Sequence, residues 1–266
     1  MRFFFHIAYH GQQYAGWQRQ PDVLSIQELI ENALHKVLKT PTTIYGCGRT
    51  DSQVNASQYF FHADIAEPFE YDLVYRLNKA LPSAIAIYDI LPMEGTAHAR
   101  FDATQRQYDY FLHTYKDPFL NMQSALYLYP NLDLAKMNEA VKLLPKYQDY
   151  RAFCVHPDKN EHTLCQVSEA NLYVNPAGDR IRFNILSNRF LGKMIRILTG
   201  KLILIGRGRL SLSEFENHLI TREIPKTLTP AYPVGLYLSK VTYPCLDLPA
   251  RSSLMSPKQD TEWLKL

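Results

Sequence analysis

The sequence predicts an α+β fold of two similar halves, each built in the order β-α-β-β-α-β and joined through a continuous, mainly antiparallel sheet. Three observations predict it. Segments with strand and helix periodicity alternate in that order twice along the 266 residues. No low-complexity linker separates the two runs. The hydrophobic fraction is 46% against 21% charged residues, enough apolar material for a sizeable core.

The elements follow in order. Residues 3–9, rich in Phe, read as a buried strand, and the polar loop HGQQYAGWQRQPD comes after it. A helix is predicted from Ile26 to Lys39, because Ser25 and Glu28 have capping-box spacing. Ile26, Leu29, Ile30, Ala33, Leu34, Val37 and Leu38 then make one apolar stripe. A short strand leads into GRTDSQVNASQ, and residues 58–65 form the next strand. Residues 72–81 read as helix and 84–91 as strand. The second run has a strand at 106–114, a helix at 133–145, and strands at 165–175 and 180–187 about a turn at Pro176 and Gly178. A long helix over 189–204 follows, then a helix opened by the capping box Ser211–Glu214, and a strand at 234–243. The expected units are residues 1–104, residues 105–245, and an extended tail over 246–266 that carries prolines, serines and scattered charge. The duplicated order is that of two ferredoxin-like halves. Two such sheets laid side by side leave a central cleft.

Net charge is only +3, so affinity for a polyanion must come from a local patch. Residues 180–209 supply one: Arg180, Arg182, Arg189, Lys193, Arg196, Lys201, Arg207 and Arg209, with no acid. On a helix, Arg189, Lys193 and Arg196 fall at i, i+4 and i+7 and share a face, a cationic stripe suited to phosphates. It makes the expected cleft a basic one. The four cysteines form no C-x-x-C pair and suggest a reducing, cytoplasmic setting. The apolar run at the start is too short for a signal peptide, and charges interrupt every longer apolar stretch, so no membrane span is expected. Cys154, His156, His162 and Cys165 are metal-ligand types, but their spacing matches no common zinc pattern, and no metal is expected. The G-x-G at 46–48 lacks the rest of a dinucleotide fingerprint.

The GRTD string carries the chemistry. Arg49 and Asp51, two residues apart between turn formers, can point the same way, and an ionised, aimed aspartate suits nucleophilic or base work. A surface ion pair in a turn is the plainer reading of the string alone. Five motifs decide against it: YHGQQYAGWQRQP, GRTD, AHARFDATQRQY at 97–108, SNRFLGKMIR at 187–196 and PVGLYL at 233–238. In this order and spacing, over about residues 3–244, they resemble the tRNA pseudouridine synthase A family.

The resemblance implies isomerisation of uridine to pseudouridine in RNA, with the anticodon stem-loop of tRNA as target. One glycosidic bond replaces another, so no cofactor is implied. Asp51 matches the essential aspartate, acting by covalent attack or by taking a sugar proton. Arg49 matches the arginine linked with flipping the base, Arg196 the arginine that pairs with the carboxylate, and Tyr108 the active-site tyrosine that stacks on uracil. Leu236 matches an apolar wall of the base pocket, and Lys193 and Arg189 fall to substrate binding. The family also implies a homodimer. Three positions depart from its pattern: Gln53 and Asn55 stand where Gly-Val-His usually follows the aspartate, and His10 replaces an acid. The chain therefore reads as an active but divergent paralogue. An inactive RNA-binding or RNA-folding module of the same fold is the alternative. A nucleoside or glycoside hydrolase is disfavoured because Asp51 has no evident carboxylate partner.

Overall fold

A computed structural model describes residues 1–66, 71–249, 251 and 263–266. The fold is α+β, with mostly antiparallel strand pairing and five α-helices among the described residues. The chain divides into two compact units. The first holds Met1–Thr104 with the described residues from Tyr237 to Arg251, and the second holds Gln105–Leu236 with residues 263–266.

In the first unit, β1 (Arg2–Tyr9) lies between β3 (Asn55–Asp64) and β4 (Ile85–Met93), antiparallel to both. The short β2 (Tyr45–Gly46) pairs with the far end of β3, Tyr45 opposite His62. The last long strand, β9 (Leu236–Thr242), pairs parallel with the start of β3, Asn55 opposite Tyr237 and Ala56 opposite Leu238. Strand β3 is buried from Asn55 to Ala63, which is why NASQYFFHA shows no clean alternation. Phe4, Phe5, Tyr59, Phe60 and Phe61 fill the core here.

Helix α1 (Ile26–Leu38) starts where its cap predicts, with Ser25 Oγ accepting the Glu28 amide at 3.3 Å. It ends at Lys39, whose left-handed backbone returns its amide to His35. Helix α2 (Leu73–Ala80), capped by Asp72, packs against α1 and β4.

In the second unit, β5 (Gln105–His113), β8 (Arg180–Ser187) and β7 (Val167–Val174) form an antiparallel run, with β6 (Ala125–Leu126) parallel on β5. A two-residue strand, β10 (Leu264–Lys265), pairs with β7, so the end of the expected tail is docked in this unit. Residues 252–262 of that tail lie outside the described residues. Helix α3 (Leu134–Leu143) packs against β7, α4 (Met194–Gly206) and α5 (Leu212–Thr221). Helix α5 opens on a complete capping box, in which Ser211 and Glu214 satisfy each other's backbone amides. The α-helical run expected over 133–145 tightens into a 3-10 turn at Leu144–Lys146, where Pro145 interrupts the α-helical bonding.

One expectation is corrected. The long helix begins at Met194, five residues later than its apolar pattern suggests. Lys193 takes a left-handed φ of +58°, the Met194 amide closes a turn onto Leu191, and Gly192 is tied by its carbonyl to the Val155 amide. Residues 189–193 are therefore loop, and Arg189, Lys193 and Arg196 do not share a helical face.

Candidate active site

The GRTD loop joins β2 to β3 in the first unit, and the polar loop after β1 braces it. Two glycines allow the approach. A Cβ on Gly11 would stand 2.0 Å from the Val54 carbonyl oxygen, and one on Gly16 would stand 2.3 Å from that of Thr50. Gly16 also has a φ of +91°, which an L side chain rarely adopts.

Side chains then pin the loop. The Tyr9 and Thr50 hydroxyls are 2.9 Å apart, and the Tyr59 hydroxyl donates to the Gly48 carbonyl at 2.7 Å. The Trp17 amide donates to Thr50, and the Tyr14 carbonyl accepts both the Gln53 amide and the Ser52 hydroxyl. Trp17 and Tyr59 stack with ring centroids 4.2 Å apart. These buttresses were not legible in the sequence, because partners up to 42 residues apart leave no local periodicity. The loose hint was the aromatic content of YHGQQYAGW itself.

Asp51 stands half-buried at the end of this braced loop, and its carbonyl accepts the Val54 amide at 3.2 Å. Arg49 is exposed, and its guanidinium has no hydrogen-bonding or ionic partner among the described residues. Gln53 has a φ of +66°, so a side chain occupies a backbone state that glycine takes freely. Asn55 is fully buried, and its Oδ1 accepts the Gly11 amide at 2.8 Å, tying the two loops together.

The second unit positions the other candidates. Tyr108 is 9% exposed on β5, opposite Ile185, and meets the edge of Phe190 with centroids 5.1 Å apart. Arg196 lies in the first turn of α4. Its Nε donates to the Ala231 carbonyl at 2.8 Å, and the Ala231 amide donates back to the Arg196 carbonyl. Leu236 is buried just after Gly235, where a Cβ would stand 2.3 Å from the Phe111 carbonyl oxygen. The structure thus gathers Arg196, the segment 231–236 and strand β5 within this unit.

The remaining cations are put to varied use. Lys193 is exposed at the N-cap of α4. Arg189 reaches His162, its Nη1 3.0 Å from Nε2. Arg182 Nε donates at 2.7 Å to Asp109, whose carboxylate is fully buried and also receives Asn184. Lys201 is buried; it donates to the Thr227 carbonyl, and desolvation lowers its pKa. The acid-free run is therefore partly consumed inside the fold. Cys154 and Cys165 are buried, and burial pushes the Cys165 thiol up to about 12, which suits inert packing. Among the described residues no group of three or more His, Cys, Asp or Glu is arranged to hold a metal ion, and no helix is long and apolar enough to cross a membrane.

A family model described as tRNA pseudouridine synthase matches residues 141–244. The tRNA pseudouridine synthase A of Porphyromonas gingivalis is 38% identical over 247 residues, covering 91% of this chain and 97% of that protein. The chain belongs to the tRNA pseudouridine synthase A family. The namesake from Parabacteroides distasonis is 40% identical, with 91% and 96% coverage, and that from Shewanella pealeana 36%, with 92% and 94%. For this pseudouridine synthase A relative, the braced loop that carries Asp51 therefore lies within a match spanning almost the whole length of its relatives.

Proposed function

We propose that this protein isomerises uridine to pseudouridine in tRNA, with the anticodon stem-loop as its target region. The similarity to proteins named tRNA pseudouridine synthase A, over 91% of this chain, carries the reading. The rigid presentation of Asp51 supports it, since a reacting group gains most when its geometry is fixed before substrate arrives.

In this reading the two ferredoxin-like halves offer RNA a basic cleft. Asp51 and Arg49 come from the first unit, and Tyr108, Arg196 and Leu236 from the second. Arg49, exposed and without an ionic partner among the described residues, enters the stack and helps extrude the uridine, a step that costs a few kcal/mol of unstacking. Leu236 and the ring of Tyr108 receive the base, and stacking contributes about 1–3 kcal/mol. Asp51 acts at the ribose, by covalent attack or by removing a sugar proton, while the C1′–N1 bond breaks. The base turns and C1′ joins C5 as the Asp51–sugar bond breaks or the sugar proton is returned; the C5 proton then leaves with help from the Tyr108 hydroxyl, and N1 gains a proton. Arg196 steadies the carboxylate. Lys193, exposed at the N-cap of α4, and Arg189 meet phosphates. The enzyme works as a cytoplasmic homodimer.

Pseudouridine mapping of cellular RNA with and without the protein tests the assignment. Signal should vanish at defined anticodon stem-loop uridines and nowhere else. An unchanged map at every RNA site would refute it.

A further inference from the structure

Three tyrosines and an arginine form a continuous row on the second unit, and the chemistry above leaves them unused. Tyr232 and Tyr127 have ring centroids 5.2 Å apart at an interplanar angle of 30°. Tyr127 and Tyr129 follow at 6.2 Å and 32°. The guanidinium carbon of Arg207 sits 3.9 Å above the centre of the Tyr129 ring. Arg207 is exposed and pairs with no acid among the described residues, and Arg209, two residues on past a glycine at φ +65°, is also exposed and unpaired.

The row is built rather than accidental. The Tyr232 amide donates to the Tyr127 hydroxyl at 3.0 Å, and the Tyr110 hydroxyl donates to the Tyr232 carbonyl at 2.8 Å. The backbone of Tyr232 is thus fixed while its side chain is left open, the residue being 59% exposed. Neither the Tyr232 hydroxyl nor the Arg207 guanidinium has a hydrogen bond among the described residues. Both present flat faces or free donors to solvent.

The position of the row matters as much as its composition. Its inner end adjoins Arg196, whose Nε bonds Ala231, the residue before Tyr232. Its outer end is Arg207, just past the last turn of α4. The two arginines are eleven positions apart along the chain of α4, a rise of about 16 Å. That equals the rise of roughly four or five stacked nucleotides. Planar rings beside unpaired guanidinium groups are the combination that tracks single-stranded nucleic acid, rings taking bases and cations taking phosphates.

We propose that Tyr232, Tyr127, Tyr129 and Arg207 form a stacking track for RNA nucleotides flanking the target uridine. The proposal rests on the tRNA-modifying function above and adds a binding site to it. The track acts in binding and takes no part in bond breaking.

Affinity for an unmodified tRNA transcript, its salt dependence, and single-turnover pseudouridine formation test it in the full-length protein. Tyr232→Ala should weaken tRNA binding about 5- to 150-fold. Tyr232→Phe, which keeps the ring, should bind as wild type. Arg207→Ala should flatten the slope of log affinity against log salt by about 0.7–0.9. At saturating enzyme the isomerisation rate should be unchanged in all three. If wild type binds and isomerises tRNA while Tyr232→Ala and Arg207→Ala bind equally well, the track is refuted and the enzyme reading stands. Should wild type neither bind nor isomerise tRNA, both readings fall together. A changed sedimentation coefficient of the variants with unchanged RNA affinity would make this face a protein contact and also overturn the proposal.

Discussion

Gln53 holds a φ of +66° two residues beyond the catalytic candidate. A non-glycine residue in this region is strained by roughly 1–2 kcal/mol, partly offset because glycine loses more entropy on folding. Gln53→Gly should therefore raise stability by up to about 1 kcal/mol in chemical denaturation, and a β-branched Gln53→Val should lower it by a similar amount or more. Asn55 has a different role. Fully buried and bonded to the Gly11 amide, it is a neutral tie between loops. The sequence showed both departures but only the backbone shows which is strained and which is satisfied. Arg182 gives the converse lesson. In the sequence it belonged to a cationic run, yet a fully buried carboxylate on the neighbouring strand claims it.

At the scale of elements, the loop after β1 and the GRTD loop behave as one piece. Gly16→Ala would force a Cβ to within 2.3 Å of the Thr50 carbonyl oxygen in a backbone state alanine avoids. The expected outcome is a loss of about 2–4 kcal/mol in unfolding free energy, with activity falling further than stability because Asp51 sits on the displaced loop. Parallel urea titration and single-turnover assays of the variant check this.

Helix α1 was legible because a cap and an apolar stripe mark it in consecutive residues, and α5 because its capping box does. The start of α4 was not. Phe190 and Leu191 continue its apolar period, and the left-handed backbone of Lys193 leaves no trace in composition. The parallel pairing of β9 with β3 was equally hidden, because it joins segments just over 180 residues apart. Of the candidate site, the residue types and their loop were readable. The braces at Tyr9, Tyr59 and Asn55 were not, since each depends on a contact made only in the folded chain.

At the scale of the whole molecule, buried histidines set the response to acid. His62 is 2% exposed, and its Nδ1 accepts the Ala99 amide, which requires a neutral ring. Burial first, then the nearby His98 and Arg2, lower its pKa to about 4. Burial likewise lowers His6, His98 and His113. A histidine depressed in the folded state binds its proton more readily when unfolded. Its stabilising contribution is therefore complete above the unfolded value near 6.5 and is lost as pH falls toward the folded one. For His62 alone this is on the order of 3 kcal/mol between about pH 6.5 and 4. Thermal unfolding midpoints should fall steeply over that window, and His62→Gln should flatten the fall.

The central claim is that one carboxylate, held by a braced loop, carries out the isomerisation of uridine in tRNA. The most direct measurement is the yield of pseudouridine in a purified, unmodified tRNA transcript, with wild type and Asp51→Asn compared at equal folded concentration. Wild type should convert its target uridine to completion, and Asp51→Asn should bind the transcript with similar affinity yet form no product. Product from Asp51→Asn at a rate within about tenfold of wild type, a difference of only about 1.4 kcal/mol in the barrier, would contradict the account.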